Sequence, residues 1–261
     1  MTATRNQPFF RRDHLAVLFS LTGITVLAWL YLLDMSFGME DMAGMGSAMI
    51  KATDTSWTGR DFVLMFLMWA VMMVGMMVPS AFPMVLMFSS LNRNHRDKGG
   101  PFASTGIFAA GYIVIWTVFS LAATILQWGL QGVGLLSPMM ASTSAAFSGL
   151  VLVAAGIYQW TPFKNACLRN CQTPLGFLMT RWRDGAGGAF RMGLAHGAYC
   201  VGCCWILMGL LFVGGVMNLL WIAVLAMFVL LEKVTPPGPL LPRLTGTALI
   251  AWGGWVLKAN F

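Results

Sequence analysis

The run His196-Gly197-Ala198-Tyr199-Cys200-Val201-Gly202-Cys203-Cys204 places one imidazole and three thiols in a stretch with no Asp, Glu, Lys or Arg between Met192 and Leu231. Polar, metal-liking groups in such apolar surroundings are costly and mark a functional site by default. At about 100° per residue, His196, Cys200, Cys203 and Cys204 fall within an arc of roughly 120° on one helix face, with Gly193 and Gly197 beside them. That face offers soft ligands and lets a neighbouring element come close. Cys167 and Cys171 precede it as a Cys-x-x-x-Cys pair, so the two groups read as a split ligand set. Thiolates and an imidazole select Cu(I), Zn(II) or iron–sulfur centres over magnesium and calcium. The expected ligand is a soft transition metal, copper favoured over zinc. Glu232 is a candidate to add a carboxylate, to orient His196 or to neutralise the site.

The 21 methionines extend the same chemistry. On a helix, Met65, Met68, Met72 and Met76 share one side within roughly 80°, and Met73, Met77 and Met84 continue around an adjoining face. A segment rich in Gly and acidic residues adds Met35, Met39, Met42, Met45 and Met49. Thioethers bind Cu(I) without losing a proton, and weak successive sites let an ion leave as readily as it enters. Met72 and Met76 are the candidate contacts along such a path. The plainer alternatives are that methionine fills irregular gaps in a helix bundle and that a buried cysteine is a small hydrophobe.

The elements that must position these groups follow from composition. With 58% hydrophobic and 10% charged residues and a mean hydropathy of +0.74, the chain is far from a water-soluble globule, in which about 25% of residues are charged. The charge-free runs 62–92, 99–163 and 192–231 each reach or exceed the roughly 20 residues that cross a bilayer. The fold expected is an all-α, polytopic transmembrane bundle of about seven helices, at 14–34, 62–90, 102–128, 142–161, 189–212, 217–234 and 244–258. Pro79 and Pro83 predict a kink or break in the second of them. Residues 1–13 read as a cytoplasmic tail and 14–260 as one membrane domain, with a Met-rich outer loop at 35–61 and a Cys-containing inner loop at 161–188.

With the N-terminus in the cytoplasm, only Lys51, Arg60 and Lys258 of the 16 Lys and Arg lie outside, as the positive-inside rule requires. The net charge of +7 then reflects topology, and no nucleic-acid partner is indicated. All five cysteines fall on the cytoplasmic side of this arrangement, where thiols stay reduced. No Gly-x-Ser-x-Gly, phosphate loop, His-Glu-x-x-His or dinucleotide fingerprint is present, so an enzymatic role is not indicated.

Several blocks carry a family likeness. They are Trp69-Ala-Val-Met72-Met73-Val-Gly-Met76-Met77-Val-Pro79-Ser80, then Tyr158-Gln-Trp-Thr-Pro162-Phe-Lys164 with Cys167 and Cys171-Gln-Thr-Pro174, then Gly193-Leu-Ala-His196-Gly-Ala-Tyr199-Cys200-Val-Gly202-Cys203-Cys204-Trp205, and Glu232-Lys233. Through these the chain resembles a bacterial family of predicted metal-binding integral membrane proteins, domain of unknown function 2182. The resemblance implies a bacterial inner membrane location and a bound metal. Three functions are then open: Cu(I) transport, chaperoning or delivery to a membrane metalloenzyme; a membrane thiol–disulfide oxidoreductase using Cys167/Cys171 and Cys200/Cys203; or a non-catalytic metal-containing subunit of a membrane complex. The partners expected are a metal ion, the lipid bilayer and another membrane protein or metalloenzyme.

Overall fold

A computed structural model of the protein describes residues 12–45, 57–97, 99, 101, 103–137, 140–236, 238 and 240–259, with the backbone alone at 12–14, 37–45 and 97. Among these, every extended element is a helix: α1 (Arg12–Met45), α2 (Gly59–Asp97), α3 (Thr105–Gly132), α4 (Ala145–Gln159), α5 (Pro162–Gln172), α6 (Pro174–Arg181), α7 (Gly185–Gly209), α8 (Leu211–Gly214), α9 (Leu219–Val234) and α10 (Leu240–Ala259). Four stretches are long and apolar enough to cross a membrane: Leu15–Ser36, Gly59–Arg96, Thr105–Gly132 and Gly185–Gly214. A fifth results if α4 and α5, which meet at 66°, form one broken span. The expected number of spans was about seven. Helices α9 and α10 stand where the sixth and seventh were expected, and neither is among those long and apolar enough on its own.

Three boundaries differ from expectation for identifiable reasons. Helix α1 continues to Met45, so the beginning of the Met-rich outer segment is helical; Met, Ala and Glu are good helix formers, and Asp34 does not stop it. The expected inner loop 161–188 contains helices α5 and α6. Each begins at a Thr-Pro pair, where proline at the first helical position is already set for the helix. At Thr161 the side chain also caps, accepting from the Lys164 amide at 3.3 Å. Helix α2 runs through Pro79 and Pro83 as one helix of 39 residues, so of the kink or break expected there the helix shows no break.

The helices pack through close backbone approaches. Trp29 on α1 donates its indole N–H to the Gly75 carbonyl of α2 at 3.2 Å. Antiparallel α2 and α3 are joined by Phe88 stacked on Phe108, with centroids 4.7 Å apart, and by Trp69 donating to Gln127 Oε1 at 2.6 Å. Helices α3 and α7 run parallel and touch main chain to main chain: a Cβ on Gly111 would meet the Leu194 amide nitrogen at 2.9 Å, and one on Gly197 would lie 3.2 Å from the Tyr112 carbonyl. Helices α4 and α10 pair antiparallel in the same manner through Gly149, Gly156, Gly246 and Gly253. Small residues at such crossings let van der Waals contact do what the hydrophobic effect does in water.

Polar and apolar groups are distributed inside out. Phe19, Val118, Leu150 and Leu220 are exposed on outer faces, whereas Asn92, Thr124, Gln127, Gln159, Lys164, His196, Glu232 and Lys233 are buried. This is the distribution expected where the surroundings are hydrocarbon and the interior must satisfy every polar group. The α3–α7 contact carries a prediction. Gly193→Ala pushes a methyl group against the Phe108 carbonyl and lowers stability by about 1–3 kcal/mol, while Gly129→Ala, with open space around it, leaves stability equal or higher. Thermal unfolding of the two variants in detergent checks both signs.

Candidate metal centre

Helix α7 carries the thiols because its small residues let α3 and α5 lie directly against it. Gly202 is one such point: a Cβ there would come within 2.8 Å of the Cys167 sulfur, and the Tyr158 hydroxyl donates to the Gly202 carbonyl. On α5, Cys167 and Cys171 are one turn apart, and both are buried. Cys171 faces the thiols of Cys200 and Cys203. Cys204 neighbours the same two. Cys167 sits at the edge of this group, beside Gly202 and nearest to Cys203. The structure therefore brings Cys171, Cys200, Cys203 and Cys204 together and leaves Cys167 on the rim.

Cys200 is the hub. Its sulfur lies 2.9 Å from Lys233 Nζ, which donates to it, and 3.1 Å from the Tyr112 hydroxyl. Lys233 donates again to Ser80 Oγ at 2.7 Å, and Ser80 donates to the Met77 carbonyl at 2.8 Å. Tyr112 donates to that same carbonyl at 3.0 Å. The result is a closed ring of hydrogen bonds linking α2, α3, α7 and α9, with all members buried. The neighbouring thiols are turned inward on their own helix, Cys203 and Cys204 both donating to the Cys200 carbonyl at 3.1 and 2.9 Å. Among the described residues, no three His, Cys, Asp or Glu side chains are set in a geometry ready to hold a metal ion. The thiols are neighbours, but their donor atoms point at backbone and at Lys233.

His196 lies one turn before Cys200, between aromatic rings. Tyr112 stacks on it at a centroid distance of 5.5 Å, Phe108 at 6.2 Å, and Phe177 meets it edge-on at 5.6 Å. Its Nδ1 is buried and has no hydrogen-bond partner among the described residues. An orphaned imidazole nitrogen costs stability, and an imidazole one turn from the Cys200 thiol is a donor type suited to a soft cation.

Glu232 faces away from the thiols. Both of its carboxylate oxygens accept from Lys164 Nζ, each at 2.8 Å, and Lys164 also donates to Gln159 Oε1. This pair is fully inside the bundle, where each charge needs the other to offset desolvation. Met68, Met72, Met73, Met76, Met77 and Met84 are all buried along α2, so the candidate contacts Met72 and Met76 belong to the apolar core. Met65 is partly buried, its sulfur accepting from Gln127 Nε2 at 3.7 Å. Met49 and the side chains of Met39, Met42 and Met45 lie outside the described residues.

Sequence reasoning missed Tyr112, Ser80 and Lys233. The signal available was the charged pair Glu232-Lys233 closing an otherwise apolar helix. Once folded, the two charges diverge, Glu232 towards α5 and Lys233 towards the thiols.

No curated protein and no solved structure matches the chain. A family model described as copper chaperone matches residues 66–256, from α2 to α10, and so takes in every described thiol, His196, Lys233 and the α2 methionines from Met68 onward. The match supports a copper-handling role at the level the soft donors imply. By this match the chain belongs to the PpoB2 copper chaperone family.

Proposed function

We propose that the protein is an integral membrane Cu(I) chaperone that receives the ion along the methionine side of α2 and holds it at the thiol cluster of α5 and α7. The observation that carries this reading is the set of four neighbouring buried thiols, with the buried His196 imidazole one turn before Cys200 on α7. Soft sulfur and imidazole donors favour Cu(I), and two thiolates suffice for such an ion. Cys200 with Cys171 or Cys203 is the primary pair, and Cys204 and His196 complete the set during transfer. Cys167 borders the cluster, and Met72 and Met76 supply the approach. Glu232 fixes Lys164 and the end of α9 and does not touch the ion.

The same reading gives the chain one membrane domain over 14–260 with seven crossings, α9 and α10 serving as the sixth and seventh, and α2 bent at its prolines. The N-terminus lies on the cytoplasmic side of a bacterial inner membrane, which places the basic residues near α6 and the start of α7 inside. A chaperone needs an acceptor, and a membrane metalloenzyme is the partner this location suits.

Protein purified after copper-replete growth is expected to carry copper by elemental analysis. Cys200→Ser/Cys203→Ser is expected to weaken Cu(I) binding by more than about 100-fold in competition with a chromophoric chelator, since even groups that merely support a ligand change affinity 10–100-fold. Cys167→Ser is expected to retain binding. Metal-free wild-type protein would remove the proposal. All five cysteines are free, and alkylation after denaturation is expected to count five thiols whether a quinone pool is oxidised or reduced; a shifting count would point to thiol exchange instead. Glu232→Ala, by stranding Lys164, is expected to lower stability by about 3–5 kcal/mol while the folded fraction keeps its copper, as read by thermal unfolding and metal analysis of the same sample.

A further inference from the structure

The group in closest contact with the hub sulfur is a cation. Lys233 reaches from α9 into the bundle, is buried, and donates to Cys200 Sγ at 2.9 Å and to Ser80 Oγ at 2.7 Å. Among the described residues it makes no hydrogen bond to a carboxylate: the adjacent Glu232 is turned to Lys164, so that acid is bonded to a different lysine. The remaining groups around the cluster are the Tyr112 hydroxyl, the His196 ring, apolar side chains and backbone carbonyls. One fixed positive charge is thus built into a site whose other donors are thiols.

We propose that Lys233 is the specificity-determining residue of the thiol cluster, restricting it to a monovalent cation. The inference rests on the reading of this cluster as the Cu(I) site. Two metal-binding thiolates bring two negative charges, and the Lys233 ammonium cancels one. A monovalent ion cancels the other and leaves the buried site neutral. On the same two thiolates a divalent ion leaves one uncompensated positive charge, so neutrality would require it to deprotonate a third thiol, and it also feels twice the repulsion from the ammonium, because Coulomb energy scales with the charge of the ion. Uncompensated charge inside the bundle is the costliest outcome available there. Cysteines alone take zinc readily, and a pair of thiolates without such a cation is neutral with a divalent ion and would favour it. Lys233 supplies the discrimination through charge count, while its hydrogen bond keeps the Cys200 sulfur oriented.

The experiment compares the full-length wild type with Lys233→Met, which keeps the length of the side chain and removes the charge, and Lys233→Arg, which keeps the charge. Cu(I) affinity is read anaerobically against a chromophoric chelator. Divalent binding is read with Zn(II) by competition and with Co(II) through the thiolate-to-Co(II) charge-transfer band. Wild type and Lys233→Arg are expected to bind Cu(I) and to show no Co(II)–thiolate band. Lys233→Met is expected to develop that band and to shift the Zn(II)/Cu(I) affinity ratio towards zinc by about 250-fold, the effect of one unit charge roughly 5 Å away at an effective dielectric of about 20. An unchanged ratio in folded Lys233→Met overturns the assignment. A wild-type protein that itself forms the Co(II)–thiolate band overturns it with no variant needed. A wild type that binds neither ion removes the copper reading, and the assignment with it, and is distinguished from the other two outcomes by the wild-type Cu(I) titration alone.

Discussion

The contact of α3 with α7 at Gly111, Gly193 and Gly197 is the constraint on which the site depends. Where main chains touch, the distance between helix axes is at its minimum, and side chains one turn further along must interact. Tyr112 therefore both stacks on His196 and reaches Cys200 with its hydroxyl. Phe108 covers the other end of the imidazole and stacks in turn on Phe88 of α2. A methyl group at any of these glycines would move the thiol helix relative to α2 and α9, and the ring of hydrogen bonds from Lys233 through Ser80 and Met77 to Tyr112 would open.

The interior contains two lysines, a glutamate, a histidine and several amides in what is otherwise a core of Met, Phe, Trp and Leu. Such groups are costly unless partnered, and the hydrogen bonds of the lysines and the glutamate divide them into two clusters. Lys164, Glu232 and Gln159 hold α4, α5 and α9 together at the bend. Lys233, Ser80, Tyr112 and Cys200 hold α2, α3, α7 and α9 together around sulfur. Two adjacent residues on α9 thus serve different clusters because they project to different sides of the helix, about 100° apart.

Much of this was legible in the chain. The register of His196, Cys200, Cys203 and Cys204 on one face, the glycines that let a neighbour approach, and the positions of the long helices all follow from periodicity and composition. The helices α5 and α6 were legible in principle from Thr161-Pro162 and Thr173-Pro174, yet the basic residues and low apolar content of that stretch read as a loop. The partners of Glu232 and Lys233 could not be read, because which way each side chain turns depends on where α5 and α2 lie relative to α9, which is a matter of tertiary packing. Similarly, the methionine column on α2 was visible as a stripe, while its burial on two adjoining faces depends on α1, α3 and α9 closing around it.

The way Cys203 and Cys204 are held has a consequence for survival in the presence of air. Both thiols lie on a continuous helix with Cys200, where side chains three or four residues apart have Cβ atoms about 5–6 Å from one another, beyond the roughly 3.5–4.5 Å that a disulfide requires. Oxidative pairing within α7 would therefore demand unwinding a turn of helix at the centre of the bundle. Copper in contact with oxygen is a potent promoter of thiol oxidation, and the rigid helical backbone keeps the Cys200 sulfur from pairing with that of Cys203 or Cys204 without such unwinding.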